Sequence, residues 1–196
     1  MKRFFFGYGS LVHKGTHDHA NHAPARLQGW KRVWVATPAR ALPYLSVIRD
    51  DTSAIDGLIA EVPDQGWDAL DQREAAYQRV PLGPELTHKM GDMSDDSLTV
   101  VYSVAPDEQQ PVSDKNPILL SYLDVVVQGY FDVFGAAGVD HFFSTTFNWT
   151  GSYLDDRTAP IYPRAQLCDP GLQAETNTRL TAMGQTRVLQ ADFPLW

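Results

Sequence analysis

Hydrophobic and polar positions in the first half of the chain fall into short runs. Residues 3–8 are largely aromatic, and Gly7, Gly9 and Ser10 then permit a sharp turn, which reads as a strand entering a loop. Residues 25–36, 44–49, 54–62 and 98–104 each carry the β-branched and aromatic content of strands, so five strands and a sheet are expected. The polar run Asp50-Asp51-Thr52-Ser53 between the third and fourth of them suits a hairpin turn. Gly29 and Gly57 are expected where the strands bend and crowd.

The pattern then changes period. Asp64 can cap a helix reaching about residue 78, along which Trp67, Leu70, Glu74 and Tyr77 recur at helical spacing, with Val80-Pro81 marking its end. Asn116-Pro117 signals a second helix, and residues 118–134 are apolar nearly all round, as a core helix should be. Gly129 within it lowers helix propensity by about 1 kcal/mol, which points to a close crossing with another element. Beyond Gly138 the chain reads as irregular, with a weaker helical stretch over 172–183. Strands first and helices later predict an α+β domain rather than alternating βαβ units.

Composition narrows the function classes. A chain of 196 residues with 43% hydrophobic content is one domain's worth and can bury a core without disulfides or metal. The net charge of −8 opposes phosphate backbones and anionic lipid, so neither nucleic acid nor membrane is an expected partner. Cys168 is the single cysteine and reads as structural. The start Met1-Lys2-Arg3 with the apolar run behind it is too short and glycine-rich for a signal peptide, and no run approaches the roughly 20 apolar residues of a membrane span. A cytoplasmic location is the default expectation.

Two features carry chemistry. On an extended helix Glu74 would lie almost directly over Trp67, and a carboxylate on an apolar stripe loses hydration, which raises its pKa toward that of a general acid/base. Pairing with Arg73 or Arg79 at the stripe's edge is an equally good reading of the periodicity, and Asp71 is a rival carboxylate with more polar neighbours. The run Gly7-Tyr8-Gly9-Ser10-Leu11 ends a buried strand with residues that let backbone amides point at a ligand, a nest that suits an anion, although such a glycine turn also arises by chance.

Together these segments resemble a known family. Phe6-Gly7-Tyr8-Gly9-Ser10-Leu11, followed some sixty residues later by Leu70-Asp71-Gln72-Arg73-Glu74-Ala75-Ala76-Tyr77, is similar to the γ-glutamylcyclotransferase superfamily, including its ChaC and AIG2-like branches. Gly29-Trp30-Lys31-Arg32-Val33-Trp34 resembles the family's second strand and Asp56-Gly57-Leu58-Ile59 the strand before its catalytic helix. Leu11, where one branch has asparagine, looks nearer the ChaC branch. The resemblance implies a small mixed β-barrel flanked by helices, in which Tyr8, Gly9, Ser10 and Leu11 bind a γ-glutamyl group and Glu74 moves the proton. Tyr77 follows by analogy as a pocket residue. The implied reaction releases 5-oxoproline from a γ-glutamyl amide or peptide and requires no cofactor.

Three further readings remain open from the sequence. Asp156, Arg157 and Arg164 form a polar cluster in which Arg157 is expected to clamp a substrate carboxylate, structural salt bridging being the alternative. His13, His17, His19 and His22 fall within ten residues and have the composition of a metal loop, though a solvated loop is the better expectation, so no metal is assigned. A non-catalytic protein that binds γ-glutamyl compounds on the same fold is the alternative function.

Overall fold

The computed structural model describes residues 2–88, 90 and 97–193; Met1 of the basic start lies outside them. In chain order the elements are β1 (Arg3–Gly7), β2 (His22–Thr37), β3 (Arg40–Glu61), α1 (Trp67–Arg73), β4 (Gln78–Leu82), β5 (Leu86–His88), β6 (Leu98–Ser103), β7 (Ile118–Leu119), α2 (Leu120–Ser144), β8 (Thr146–Phe147), β9 (Ser152–Asp155), α3 (Pro170–Ala182) and β10 (Thr186–Leu189). The main sheet runs β4-β6-β1-β3-β2-β5, with β8 beside β2, and a small sheet runs β10-β9-β7. β1 pairs antiparallel with β3 and parallel with β6, so the main sheet is mixed. It curls into a half-barrel flanked by three helices, the α+β class that the strand-then-helix order predicts.

β1 sits in the middle of the sheet, which explains its continuous aromatic run. Phe4 and Phe6 face one way into the core built on α2, with Val126, Tyr130 and Phe142, whereas Phe5 faces the other way into a cluster with Leu11, Trp67 and Leu70 beneath α1. All three phenylalanines are buried. The chain leaving β1 therefore emerges between the two helices that flank it.

The strand expectations need one structural correction. Residues 44–49 and 54–62 do not form a hairpin: all but Val62 belong to β3, which pairs along its length with β2, and the reversal is at Pro38 and Ala39. Gln28 pairs with Ala54 and Trp30 with Arg49, so Asp50, Asp51, Thr52 and Ser53 bulge out opposite Gly29, which adopts φ 73°. The polar cluster satisfies itself there, Lys31 Nζ lying 2.7 Å from Asp50 and the Thr52 amide and hydroxyl donating to it.

The helices also differ at their ends. α1 stops at Arg73 instead of running to residue 78, because Gln78–Leu82, Val80-Pro81 included, pair with β6 as a strand. Ile118 and Leu119 pair with β9, so the second helix begins two residues later than expected. It also continues past Gly138 to Ser144, with a kink at Gly135 (φ 68°). A Cβ on Gly129 would lie 2.7 Å from the His13 backbone nitrogen, which is the close crossing expected of that glycine. Arg32, wholly buried, donates to Tyr130 Oη (2.7 Å), Thr146 Oγ1 (3.1 Å) and the Asp56 carbonyl (2.9 Å), joining β2 to α2, β8 and β3.

Candidate active site

The turn after β1 is pinned from several sides. The Tyr8 carbonyl accepts a hydrogen bond from Tyr130 Oη (2.9 Å), and the Tyr8 hydroxyl donates to the Tyr102 carbonyl (2.7 Å). The chain then makes a 3-10 turn over Ser10–Val12, closed by the Val12 amide on the Gly9 carbonyl (3.0 Å). Glycine is needed at position 9 for proximity: a Cβ there would lie 2.6 Å from Tyr122 Oη. Among the described residues the Gly9 and Leu11 amides meet no hydrogen-bond acceptor, and both residues line the same cavity. Unspent amide donors on one turn are the chemistry that seating an anion requires.

Glu74 reaches that cavity by a route different from the one its spacing predicts. α1 ends one residue earlier; the Glu74 amide still donates to Leu70 (2.9 Å), and the Tyr77 amide donates back to the Glu74 carbonyl (2.8 Å), so the chain swings away into β4. Trp67 and Leu70 stay in the core under α1, while Glu74 lines the cavity with its side chain 15% exposed. The two readings of its surroundings hold together, since it is buried and also paired: Arg73 Nε lies 2.9 Å from Glu74 Oε1. Burial pushes the Glu74 carboxyl above its ordinary value, outweighing the opposing charges of Arg73 and Arg164. Asp71 is a different case. Burial would raise it, but hydrogen bonds from Arg79 (2.7 Å) and Tyr102 Oη (2.6 Å) hold it below the usual range, and it does not line the cavity.

Arg73 joins the acid to the turn, a role its sequence position did not announce. Besides Glu74, its guanidinium donates to the Thr16 carbonyl (2.5 Å) and lies 3.3 Å from Ser10 Oγ. One side chain thereby fixes the distance between the carboxylate and the turn.

The cavity encloses about 390 Å³. Tyr8, Tyr77 and Tyr122 all line it, and burial drives each phenol's pKa up, so all three remain neutral hydrogen-bond donors. Tyr77 Oη donates to the Leu45 carbonyl (3.1 Å), and its ring meets Tyr44 edge to face. Tyr122 stands edge-on between Trp34 and Tyr162. Its only sequence context was an apolar run with no face distinguishable from another. The last wall comes from residues 161–164, placed by the buried Asp156 carboxylate, which accepts from the Ser121 amide (2.8 Å) and hydroxyl (2.5 Å) and from the Ile161 amide (2.8 Å).

The site therefore gathers Tyr8, Gly9, Ser10, Leu11, Glu74 and Tyr77 round one cavity, but not Arg157. Arg157 grips Asp124 on α2 through two hydrogen bonds (2.6 and 2.7 Å) and reaches Asn177 (3.0 Å) on α3, which is the salt-bridging alternative. It is Arg164 of the same polar cluster, together with Arg40 from β3, that lines the cavity. The clustered histidines serve packing instead: His17 and His19 lie 5.3 Å apart, both against Phe5, while His13 accepts from the Gly15 amide and His17 contacts the Leu11 carbonyl (3.1 Å). Burial lowers His17 to about 4. Among the described residues no group of three or more His, Cys, Asp or Glu side chains is placed to hold a metal. Cys168 is buried, and burial pushes its thiol up to about 11, a protonated structural cysteine. Among the described residues no helix is long and apolar enough to cross a membrane.

A buried carboxyl of raised pKa, uncommitted amides and neutral phenols around one small cavity can seat a carboxylate, move a proton and stabilise a developing oxyanion. Comparison with known proteins agrees with the architecture. No curated protein matches the sequence. Among solved structures, the chain is similar to YkqA from Bacillus subtilis (TM-score 0.55, 15% identity, 74% of this chain and 55% of that one). It spans little more than half the length of that protein. It is also similar to the human uncharacterized protein loc79017 (TM-score 0.54, 12% identity, 90% and 98%) and to a protein described as gamma-glutamyl cyclotransferase (TM-score 0.52, 11% identity, 91% and 99%). At these identities the likeness is one of fold. A sequence profile described as gamma-glutamyl cyclotransferase, AIG2-like, matches residues 5–118, from the first strand through the turn, the acid and β6. By that match over more than half of its length, the chain belongs to the gamma-glutamyl cyclotransferase, AIG2-like family.

Proposed function

We propose that the protein is a γ-glutamylcyclotransferase-type enzyme that cyclises a γ-glutamyl amide to 5-oxoproline. The substrate's α-amine attacks its own γ-carbonyl carbon, the C–N bond to the departing amine breaks, and no water or cofactor is consumed. Glu74 takes the proton that the attacking nitrogen loses and gives it to the leaving nitrogen, so the two transfers balance. A carboxyl whose pKa is raised toward neutrality serves both directions. The Gly9 and Leu11 amides hold the α-carboxylate, Ser10 and Arg73 keep the turn at its distance from Glu74, and Tyr122 is the candidate donor to the oxyanion, since Tyr8 and Tyr77 spend their single protons on the Tyr102 and Leu45 carbonyls.

The observation that carries this reading is the shared cavity of about 390 Å³, into which both the acid and the turn open and across which Arg73 connects them. That volume is in the range of small-molecule sites, roughly 300–1,000 Å³. Because the nucleophile is tethered to its target, effective molarities of about 10⁵–10⁸ M are attainable from folding the substrate alone, and no separate nucleophile is required of the protein.

The test is a screen of γ-glutamyl amino acids, γ-glutamyl amines and glutathione, with 5-oxoproline quantified by mass spectrometry. Time-dependent product from at least one of them is the expected result. Ligands that raise the melting temperature yet yield no product would replace the enzyme with a binding protein on the same fold.

A further inference from the structure

The arginines of this acidic protein are nearly all committed. Of the eleven, eight have a carboxylate within 4 Å: Arg3, Arg26, Arg49, Arg73, Arg79, Arg157, Arg179 and Arg187. Arg32 is spent on hydroxyls and a carbonyl in the core. Among the described residues this leaves Arg40 and Arg164 without an acidic partner, and both line the cavity that holds Glu74. Arg40 anchors itself on the Leu42 and Pro43 carbonyls (3.0 and 2.9 Å) and lies 3.6 Å over the Tyr44 ring, an arrangement that orients its guanidinium while leaving N–H donors unspent. No hydrogen bond or ion pair of the Arg164 guanidinium exists among the described residues, although Asp156 fixes the segment that carries it.

Charge accounting within the cavity then favours a second anionic group. Glu74 is offset by Arg73, and the γ-glutamyl half of the substrate brings one carboxylate, which the turn's amides accept. Two guanidinium groups remain facing a partly enclosed space in which an unpaired charge is worth more than in water. Arg164 is also near enough to Glu74 for its charge to act on that carboxyl. A group held by Arg164 thus lies close to the acid that returns a proton to the leaving nitrogen. In an amino acid the carboxyl carbon is two bonds from that nitrogen.

We propose that Arg164, assisted by Arg40 on the same cavity wall, binds a carboxylate on the departing amine, so that the substrates are γ-glutamyl amino acids rather than γ-glutamyl amines. The proposal rests on the cyclotransferase reading above and adds the identity of the leaving group. A site built to hydrogen-bond a charged group discriminates strongly against an analogue lacking it, because its own donors are left unpaired.

A matched pair of substrates tests this: γ-glutamylalanine and γ-glutamylethylamide, which differ by the carboxylate alone. The ratio of kcat/KM for the first over the second is expected to be about 10- to 100-fold in the parent, the usual worth of a charge-assisted hydrogen bond. Arg164→Met should collapse that ratio toward one, and Arg164→Lys should restore part of it. A parent ratio near one, or a ratio unchanged in Arg164→Met, overturns the proposal. Should neither compound be turned over, the cyclotransferase reading fails first, and calorimetric binding of the same two compounds decides the remaining question. Tighter binding of γ-glutamylalanine that Arg164→Met abolishes supports the carboxylate site, and equal binding of the two sinks it.

Discussion

Replacing Gly9 with alanine probes the tightest contact in the site. The added Cβ would come 2.6 Å from Tyr122 Oη, 0.8 Å short of the 3.4 Å at which ordinary contact begins. Tyr122 cannot swing aside cheaply, because Trp34 and Tyr162 stand edge-on against it at ring-centroid distances of 6.0 and 5.1 Å. The turn cannot yield easily either, with the Tyr8 carbonyl tied to Tyr130 and Ser10 tied to Arg73. Overpacking of this kind costs about 1–3 kcal/mol. In a chain of this length that corresponds to a fall in melting temperature of about 2–12 °C. Tyr122→Phe removes the offending oxygen, so in the double variant most of the loss should be recovered, with a coupling energy of about 1–2 kcal/mol in a double-mutant cycle followed by urea unfolding. A Gly9→Ala variant that loses less than about 0.5 kcal/mol, or a loss that Tyr122→Phe leaves intact, would falsify the close packing of turn and phenol on which the cavity's shape depends.

Two other perturbations separate structure from chemistry. Arg157→Met should destabilise the protein by about 3–5 kcal/mol, because it leaves the Asp124 carboxylate buried and unpaired, while the KM of any accepted substrate stays within about twofold; a large rise in KM with normal stability would return Arg157 to the substrate site. Glu74 sets a pH dependence of stability. Its folded-state pKa is raised by burial above the ordinary value near 4.5, so protonation stabilises the fold below that ordinary value and the contribution is lost as pH rises through the folded value. Glu74→Gln does not titrate, and its stability relative to the parent, from urea unfolding, should therefore be more favourable at pH 8 than at pH 4; the opposite trend would mean that Arg73 governs the carboxyl instead of burial.

Local pattern carried the strands well and the geometry of the site only in part. The aromatic run of β1 is legible because a central strand covered on both faces tolerates nothing polar, and the turn that follows is legible because its glycines admit close neighbours. Glu74 was found through a helical spacing that the structure does not keep: the carboxyl is buried because α1 ends beneath it, and Arg73, next to it in sequence, pairs with it for the same reason. The cluster Asp50-Asp51-Thr52-Ser53 has turn chemistry but is a bulge, since Gly29 on the neighbouring strand supplies the conformation that absorbs it. Arg157 and Arg164 are equivalent in composition and seven residues apart, and only the tertiary contacts of Asp124 and Asp156 decide which of them enters the core and which faces the cavity. Tyr122 and Arg40 come from a uniformly apolar run and from a hairpin tip, contexts that carry no sequence signal for a site.

The central claim is that Glu74, buried beside the turn, carries the proton in a cyclisation. Its most direct measurement is 5-oxoproline release by purified parent and Glu74→Gln protein on one accepted γ-glutamyl substrate, with binding of that substrate followed by thermal shift in both. The account predicts that the glutamine variant folds, still gains stability from the ligand, and loses turnover by at least about 10²-fold, the usual contribution of a positioned general acid/base. Turnover by Glu74→Gln within a few-fold of the parent would contradict it.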